Sequence, residues 1–330
     1  MTFTPVWAVE GGRADAASAR RLAWAATSGA SGVTRPLDLK VSAYAVPGAG
    51  VNIRTGGGVV ESTYAGAGAC ESYQFANDAT TQLSVPGGLP SVTTYYVIVR
   101  VDDFHYNQSP APADPLTYNY VKPDVVTSGA LSSVTDPYIL LAKIVLPANT
   151  AAITNAMITD LRTVANPREQ TVIRPITAVA TDTNMNLVSA DPTGEIFPGH
   201  GYDTIGPQVV SIPSWATKVQ IQCTWLGIYY PNTNPFGRYW VEWGPSTGSN
   251  TRAISTDTFR FDAPQAGVSR AIWIAAAEQY IPASYRGTDQ TFVPKARYDS
   301  DASHRGVFMD YMSGMVWTLR FLEVADDSNS

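Results

Sequence analysis

With 330 residues and a net charge of −6, the chain is long enough for two ordinary domains and carries no basic stripe to neutralise a phosphate backbone, which argues against nucleic-acid binding. Hydrophobic residues reach 45%, enough for a packed core, but charged residues are only 15%, with 26 Gly and 23 Pro in their place. That balance suits short strands joined by turns, and a chain that covers part of its surface within a larger assembly.

No stretch approaches the roughly 18 apolar residues of a membrane span. The N-terminus, MTFTPVWAVEGG, lacks the charged start and apolar run of a signal peptide. Cys70 and Cys223 lie in different predicted domains and read as two free core thiols of a protein made in a reducing cytoplasm.

Residues 14–27 predict the first helix, capped by Asp15 or Ser18 and stopped by Gly29 or Gly32. Ala16, Ala19, Ala23 and Ala26 lie close to one face, with Leu22 beside them. Such a stripe suits close packing either on the chain's own sheet or on its copies around a symmetry axis. Strands are predicted at 37–46, 51–55, 59–63 and 80–85. The glycine run at 56–58 and Pro86-Gly87-Gly88 read as turns. Residues 95–101 and 138–146 are the most apolar and should be central strands. Between them, 102–137 is a long polar excursion rich in Pro and Tyr, of the kind that is functional or packs on a neighbour.

After Pro147, residues 155–162 predict a short helix capped by Thr154 or Asn155, with Asp160 and Arg162 at its far end. The polar stretch 163–168 marks a domain boundary. The expected architecture is therefore mainly β. An N-terminal α+β domain (1–165) combines short helices with an antiparallel sheet, and a C-terminal β-sandwich or jelly roll (166–330) follows. Its strands are expected at 171–179, 209–212, 218–230, 238–243, 258–261, 270–277, 290–294 and 315–324, ahead of a polar tail at 326–330.

Four segments carry a resemblance: GGRADAASARRLAWAATSGASGV (11–33), PLDLKVSAYAVPGAGVNIRTGGGVV (36–60), YYVIVRVDDFHY (95–106) and the strand ending in PANT with ITNAMITDLR after it (138–162). In order and character they resemble the N-terminal domain of minor tail proteins from phages of actinobacteria. The family often has a proline soon after the DD pair, where this chain has Phe104 and His105. In the second half, VSIPSWATKVQIQCTWLGIYY (210–230) is similar to a strand entry in sandwich domains of the same proteins. The resemblance covers about half the chain. It implies a virion protein of the tail tip or baseplate, made in the host cytoplasm. Homotrimers, other tail-tip proteins as neighbours and an outward-facing domain that varies with the host surface are further implications. It implies nothing about catalysis.

The chemistry-bearing residues are sparse. His105, His200 and His304 are far apart, and no Cys or His pair has zinc-ligand spacing. Asp299 and Asp301, near His304, look superficially like a Ca²⁺ loop but lack its twelve-residue pattern and read as a polar surface loop. Asp102 and Asp103 read as a solvated strand end. A glycosidase needs two carboxylates about 5–10 Å apart. Glu242, Asp257, Asp262 and Glu278 are candidates, and alternation puts Trp240 and Glu242 on one strand face. No nucleophile elbow, phosphate loop or dinucleotide fingerprint is present. No catalytic, cofactor or metal residue is therefore expected, with a polysaccharide-cleaving enzyme as the competing reading and a purely structural subunit as the other.

Recognition is the favoured chemistry. The second half holds Trp215, Trp225, Trp240, Trp243, Trp273 and Trp317, at least half of them expected in the core. Its loop 229–239 gathers rings, amides and a guanidinium, groups that suit a cell-wall glycan. The candidate glycan- or receptor-binding residues are Tyr230, Asn232, Asn234, Phe236 and Arg238, with Tyr285 and Arg286 in a second loop.

Overall fold

The structure is a computed structural model that describes residues 15–46, 48–107, 111–115, 117–177, 185–199, 206–248, 251–263 and 267–326. It is mainly β, with antiparallel sheets throughout, and divides into two compact units, each with its own hydrophobic core. One unit runs to Pro167 and includes residues 324–326; the other is Arg168–Glu323.

The first unit opens with α1 (Ala16–Thr27). The Asp15 carboxylate accepts the Ser18 backbone N–H at 2.6 Å, and the helix ends on Ser28 and Gly29, both left-handed (φ 52° and 79°). After it come β1 (Gly32–Val33), β2 (Val41–Ala43), β3 (Gly50–Ile53), β4 (Gly56–Glu61), β5 (Ser72–Asn77), β6 (Thr81–Ser84) and β7 (Thr93–Val101). The one-turn α2 (Phe104–Asn107), β8 (Val121–Thr127), β9 (Tyr138–Leu146) and β10 (Ile158–Asp160) complete the unit. The strands form three sheets, ordered β1-β4-β5, β2-β3-β6 and β10-β9-β7-β8. The two most apolar strands, β7 and β9, are the inner pair of the largest sheet and bury Val97, Ile98, Leu141 and Ile144 completely.

Several local expectations are corrected here. Residues 155–162 form no helix: a single 3₁₀ turn (Asn155–Met157) leads into β10, which pairs with β9 from Ile158 opposite Ile144 to Asp160 opposite Ala142. Asn155 caps nothing; its side-chain oxygen accepts the Ala43 N–H at 2.8 Å. An eight-residue helix leaves half of its backbone groups unpaired and is marginal in isolation, whereas pairing with β9 extends an existing sheet. The glycine run 56–58 is not a turn but the start of β4, paired residue by residue with Asn77, Ala76 and Phe75. Residues 37–39 turn instead of extending, with Leu39 left-handed (φ 55°) and buried. The excursion 102–137 contains β8, which tolerates Pro123 because it is the edge of its sheet. β5, unpredicted, pairs with β4.

The second unit contains β11 (Glu169–Ile176), β12 (Met185–Asn186), β13 (Glu195–Ile196), β14 (Gln208–Ser211), β15 (Lys218–Tyr230) and β16 (Phe236–Ser246). The rest are β17 (Arg252–Ser255), β18 (Phe259–Asp262), β19 (Ser269–Tyr280), β20 (Asp289–Tyr298), β21 (Phe308–Met309) and β22 (Gly314–Leu322). One sheet runs β11-β22-β15-β21-β12 with β19 on the other side of β15. Its partner runs β13-β20-β16-β17 with β14 on β20 and β18 on β16. The core between them follows strict alternation: Val219, Ile221, Cys223 and Trp225 from one sheet meet Tyr239, Val241 and Trp243 from the other. This is a β-sandwich. Residues 1–14, 178–184, 200–205 and 327–330, which include the expected helix start, the end of strand 171–179, His200 and most of the polar tail, lie outside the described residues.

Candidate functional site

The seven predicted recognition residues fall into two groups on different strand ends. Tyr230 is the last residue of β15 and is buried; its hydroxyl accepts the Trp273 indole N–H at 2.5 Å, and burial pushes its pKa up to about 12. It is a core residue, not a loop ring. Asn232 is exposed, and Phe236 is 41% exposed at the start of β16. Asn234 adopts the left-handed conformation (φ 56°) and turns its side-chain oxygen inward. Arg238 lies within β16 and donates to Asp299 at 2.7 Å, while Arg297 approaches the same carboxylate at 3.2 Å. Tyr285 stands at the opposite end of β16, edge-on to Trp243 at 6.0 Å and against Gly244. Arg286 donates to the Ile281 carbonyl at 2.9 Å. About eight residues of strand, roughly 27 Å, separate the two groups, so they do not form one site.

The tryptophans are spent on the core. Trp225, Trp243 and Trp317 are fully buried, and Trp240 and Trp273 nearly so. Each indole N–H has an acceptor: Trp225 on the Phe197 carbonyl, Trp317 on the Gly206 carbonyl, Trp243 on Gln279, Trp273 on Tyr230 and Trp240 on Glu242. A buried indole with its N–H satisfied is a structural residue. Trp215 is half-buried beneath the Arg168 guanidinium, 5.2 Å from its ring. Glu242 shares the face of Trp240 as alternation requires. It is buried, and its two oxygens accept the Trp240 indole at 2.9 Å and the Arg252 backbone N–H at 3.0 Å.

The acidic pairs are also occupied. Asp102 and Asp103 are buried rather than solvated. Asp102 accepts from Lys122, from the Tyr118 hydroxyl at 2.6 Å and from Asn107. Burial raises its pKa, but these three donors outweigh burial and hold it at about 2. Asp136 accepts from Tyr64 at 2.8 Å, from Asn107 and from Arg100. Asp103 takes the Tyr73 hydroxyl at 3.0 Å. The network pins α2 and the start of the long excursion to β7. Asp301 caps a 3₁₀ turn through Ser303 and His304, and those hydrogen bonds hold its carboxyl at about 2. Among the described residues no group of three or more His, Cys, Asp or Glu is placed to hold a metal ion.

The surface that the sequence did not reveal is the outer face of the sandwich sheet β11-β22-β15-β19. Strand register sets its side chains in rows. Glu278, Gln220, Arg320 and Thr171 form one row; Ala276, Gln222, Thr318 and Ile173 the next; Ile274, Thr224, Val316 and Pro175 a third. Ile272 and Leu226 follow. The polar end is knitted across four strands. Glu169 takes two hydrogen bonds from Arg320, both at 2.6 Å; Arg320 reaches Gln220 at 3.4 Å. Gln220 donates to Glu278 at 2.9 Å, which also accepts Lys218 at 2.7 Å. The Lys218 ammonium lies 4.6 Å from the Tyr280 ring. These bonds lower the pKa of Glu169 through Arg320 and of Glu278 through Lys218 and Gln220. The apolar end leaves Ile272 60% and Ile274 47% exposed on β19, while Ile173, 57% exposed, lies three strands away on β11. A shallow trough of about 450 Å³ crosses the face at Ala276, Gln222 and Thr318, between Arg320 and Glu278.

The chain matches no family model and no curated protein. Among solved structures it is similar to the infectious bursal disease virus VP2 subviral particle at 11% identity, covering 89% of this chain and 72% of that one, with a TM-score of 0.25. Particles of the same virus with T=1 geometry align at 14% identity over 93% of this chain and 80% of that one, TM-score 0.25. The tandem CBM22-1–CBM22-2 domain of Paenibacillus barcinonensis Xyn10C aligns at 12% identity over 89% of this chain and all of that one, TM-score 0.22. At these scores the likeness carries no functional argument.

Proposed function

We propose that the chain is a structural component of a viral particle: a minor tail protein at the tail tip that contributes to host attachment and catalyses no reaction. One observation carries the reading. The second unit buries five of its six tryptophans with their indole N–H groups satisfied, yet leaves Ile272 and Ile274 exposed along β19, with Tyr280 farther along the same strand and Ile173 across the sheet on β11. The adjacent Ile272 and Ile274 beside the polar rows of the same face support its reading as a contact surface. The segmental resemblance of the first half to tail proteins supplies the context. On this reading the first unit attaches to other tail-tip proteins and forms homotrimers, for which the outer face of α1, with Ala19, Leu22 and Ala26 exposed, is available. The second unit faces the host cell wall.

Sedimentation of the full chain is expected to give a trimer; a stable monomer at micromolar concentration contradicts the assembly. Fluorescently labelled full chain is expected to bind actinobacterial cells and to be displaced by their purified envelope polysaccharide. A folded trimer that binds none of a broad set of such cells leaves a structural role without receptor binding.

A further inference from the structure

We propose that the outer face of the sheet β11-β22-β15-β19 is the seat of an uncharged polysaccharide chain, held by Gln220, Gln222, Thr224 and Thr318 with the Ile272–Ile274 shelf beneath its apolar side. The proposal rests on the attachment reading above and assigns it a surface and a ligand class. Three features of the face select this occupant.

The first is charge. Glu169, Arg320, Glu278 and Lys218 neutralise one another within the face, so two carboxylates and two cations present no net field to a charged partner. What they offer is a run of fixed donors and acceptors, which suits hydroxyl groups. The second is relief. Ala276 stands opposite Gln222 in the register, and its short side chain opens the trough where the Gln222 amide and the Thr318 hydroxyl are reached. Gln222 is steadied by its own bond to Thr224 at 3.3 Å. A trough of about 450 Å³ lies in the range of small-ligand sites, roughly 300–1,000 Å³. The third is size. Three strand spacings by four two-residue steps give a footprint of about 14 by 27 Å, on the order of 400 Å². That is half of the roughly 800 Å² per partner in a stable protein complex. The long, narrow face with a polar and an apolar end fits a chain molecule whose rings have hydroxyl edges and C–H faces.

The test is a titration of the full chain, with isoleucine methyls and glutamine side-chain amides isotopically labelled, against cellohexaose, xylohexaose, mannohexaose and maltohexaose at millimolar concentration. Shifts at Ile272, Ile274, Gln220 and Gln222 are expected with at least one of them. The double variant Gln222→Ala/Thr318→Ala is expected to weaken that binding about tenfold or more, two hydrogen bonds' worth, with an unchanged melting temperature. Ile274→Thr serves as a second, milder variant and should weaken it by a smaller factor. No shift with any of the four oligosaccharides overturns the proposal, as do shifts confined to residues around Asn232, Phe236 or Tyr285. A dimer abolished by Ile274→Thr assigns the face to a second copy of the chain and likewise overturns it. If the labelled chain binds cells and the double variant binds them equally, the attachment reading stands and this face is not its seat.

Discussion

At the scale of single residues, Asp102 is a buried anchor of the first unit. It gathers Lys122, Tyr118 and Asn107 on one buried carboxylate, and its pKa lies at about 2 instead of the ordinary 3.8. A carboxyl held below its unfolded value stabilises the fold fully above about pH 4 and loses that contribution as pH falls through 2, a difference of about 2 kcal/mol. Asp102→Asn keeps the shape but removes the charge partner of the partly exposed Lys122 ammonium, which keeps its bond to Tyr118, and is expected to cost about 2 kcal/mol in urea denaturation. The variant's stability should also be flatter than that of the parent between pH 4 and 2. The DD pair was visible in the sequence, but its donors were not. Tyr118 and Lys122 return to it only because the excursion folds back and β8 pairs with β7. Tyr230 shows the converse. Its loop-like neighbourhood predicts exposure, and one hydrogen bond to Trp273 across the β15–β19 pair puts it inside.

At the scale of elements, period alone found the long strands. β15 begins and ends where expected because its residues alternate between core and surface on both sides of a single bulge at Gly227. Short elements fared worse. Residues 155–162 have helix-compatible spacing, yet Ile158–Asp160 completes the sheet edge beside β9. The glycine run reads as a turn because nothing in its sequence distinguishes flexibility from close approach. In the fold, a Cβ on Gly56, which sits at φ 150°, would lie 2.4 Å from the Asp38 Cβ and 2.5 Å from its Cα. Gly56→Ala is therefore expected to destabilise by about 3 kcal/mol through strain and backbone collision. Gly129→Ala, whose added Cβ meets nothing within 4 Å, should stay within about 0.5 kcal/mol. Thermal melts of the two variants against the parent check the contrast.

At the scale of the whole molecule, two separate cores predict two cooperative transitions in denaturant. Trp215, Trp225, Trp240, Trp243, Trp273 and Trp317 all belong to the second unit, so the main red shift of tryptophan emission should follow one transition only. The cysteines report the same division. Cys70 is exposed, contrary to the expectation of a core thiol, while Cys223 is fully buried and its pKa is raised by that burial. A thiol reagent should label Cys70 in the native protein and Cys223 only as the tryptophan emission shifts. Labelling of both at the same rate under native conditions would contradict the sandwich core. The mainly β class, the sandwich and its long strands follow from composition and alternation, which are properties of the chain itself. The joining of Gln222, Thr318 and Ala276 into one trough was decided only by the tertiary structure. Which face each residue takes is set by local period, but which strands become neighbours is set by long-range pairing and core packing, and no local pattern encodes that choice.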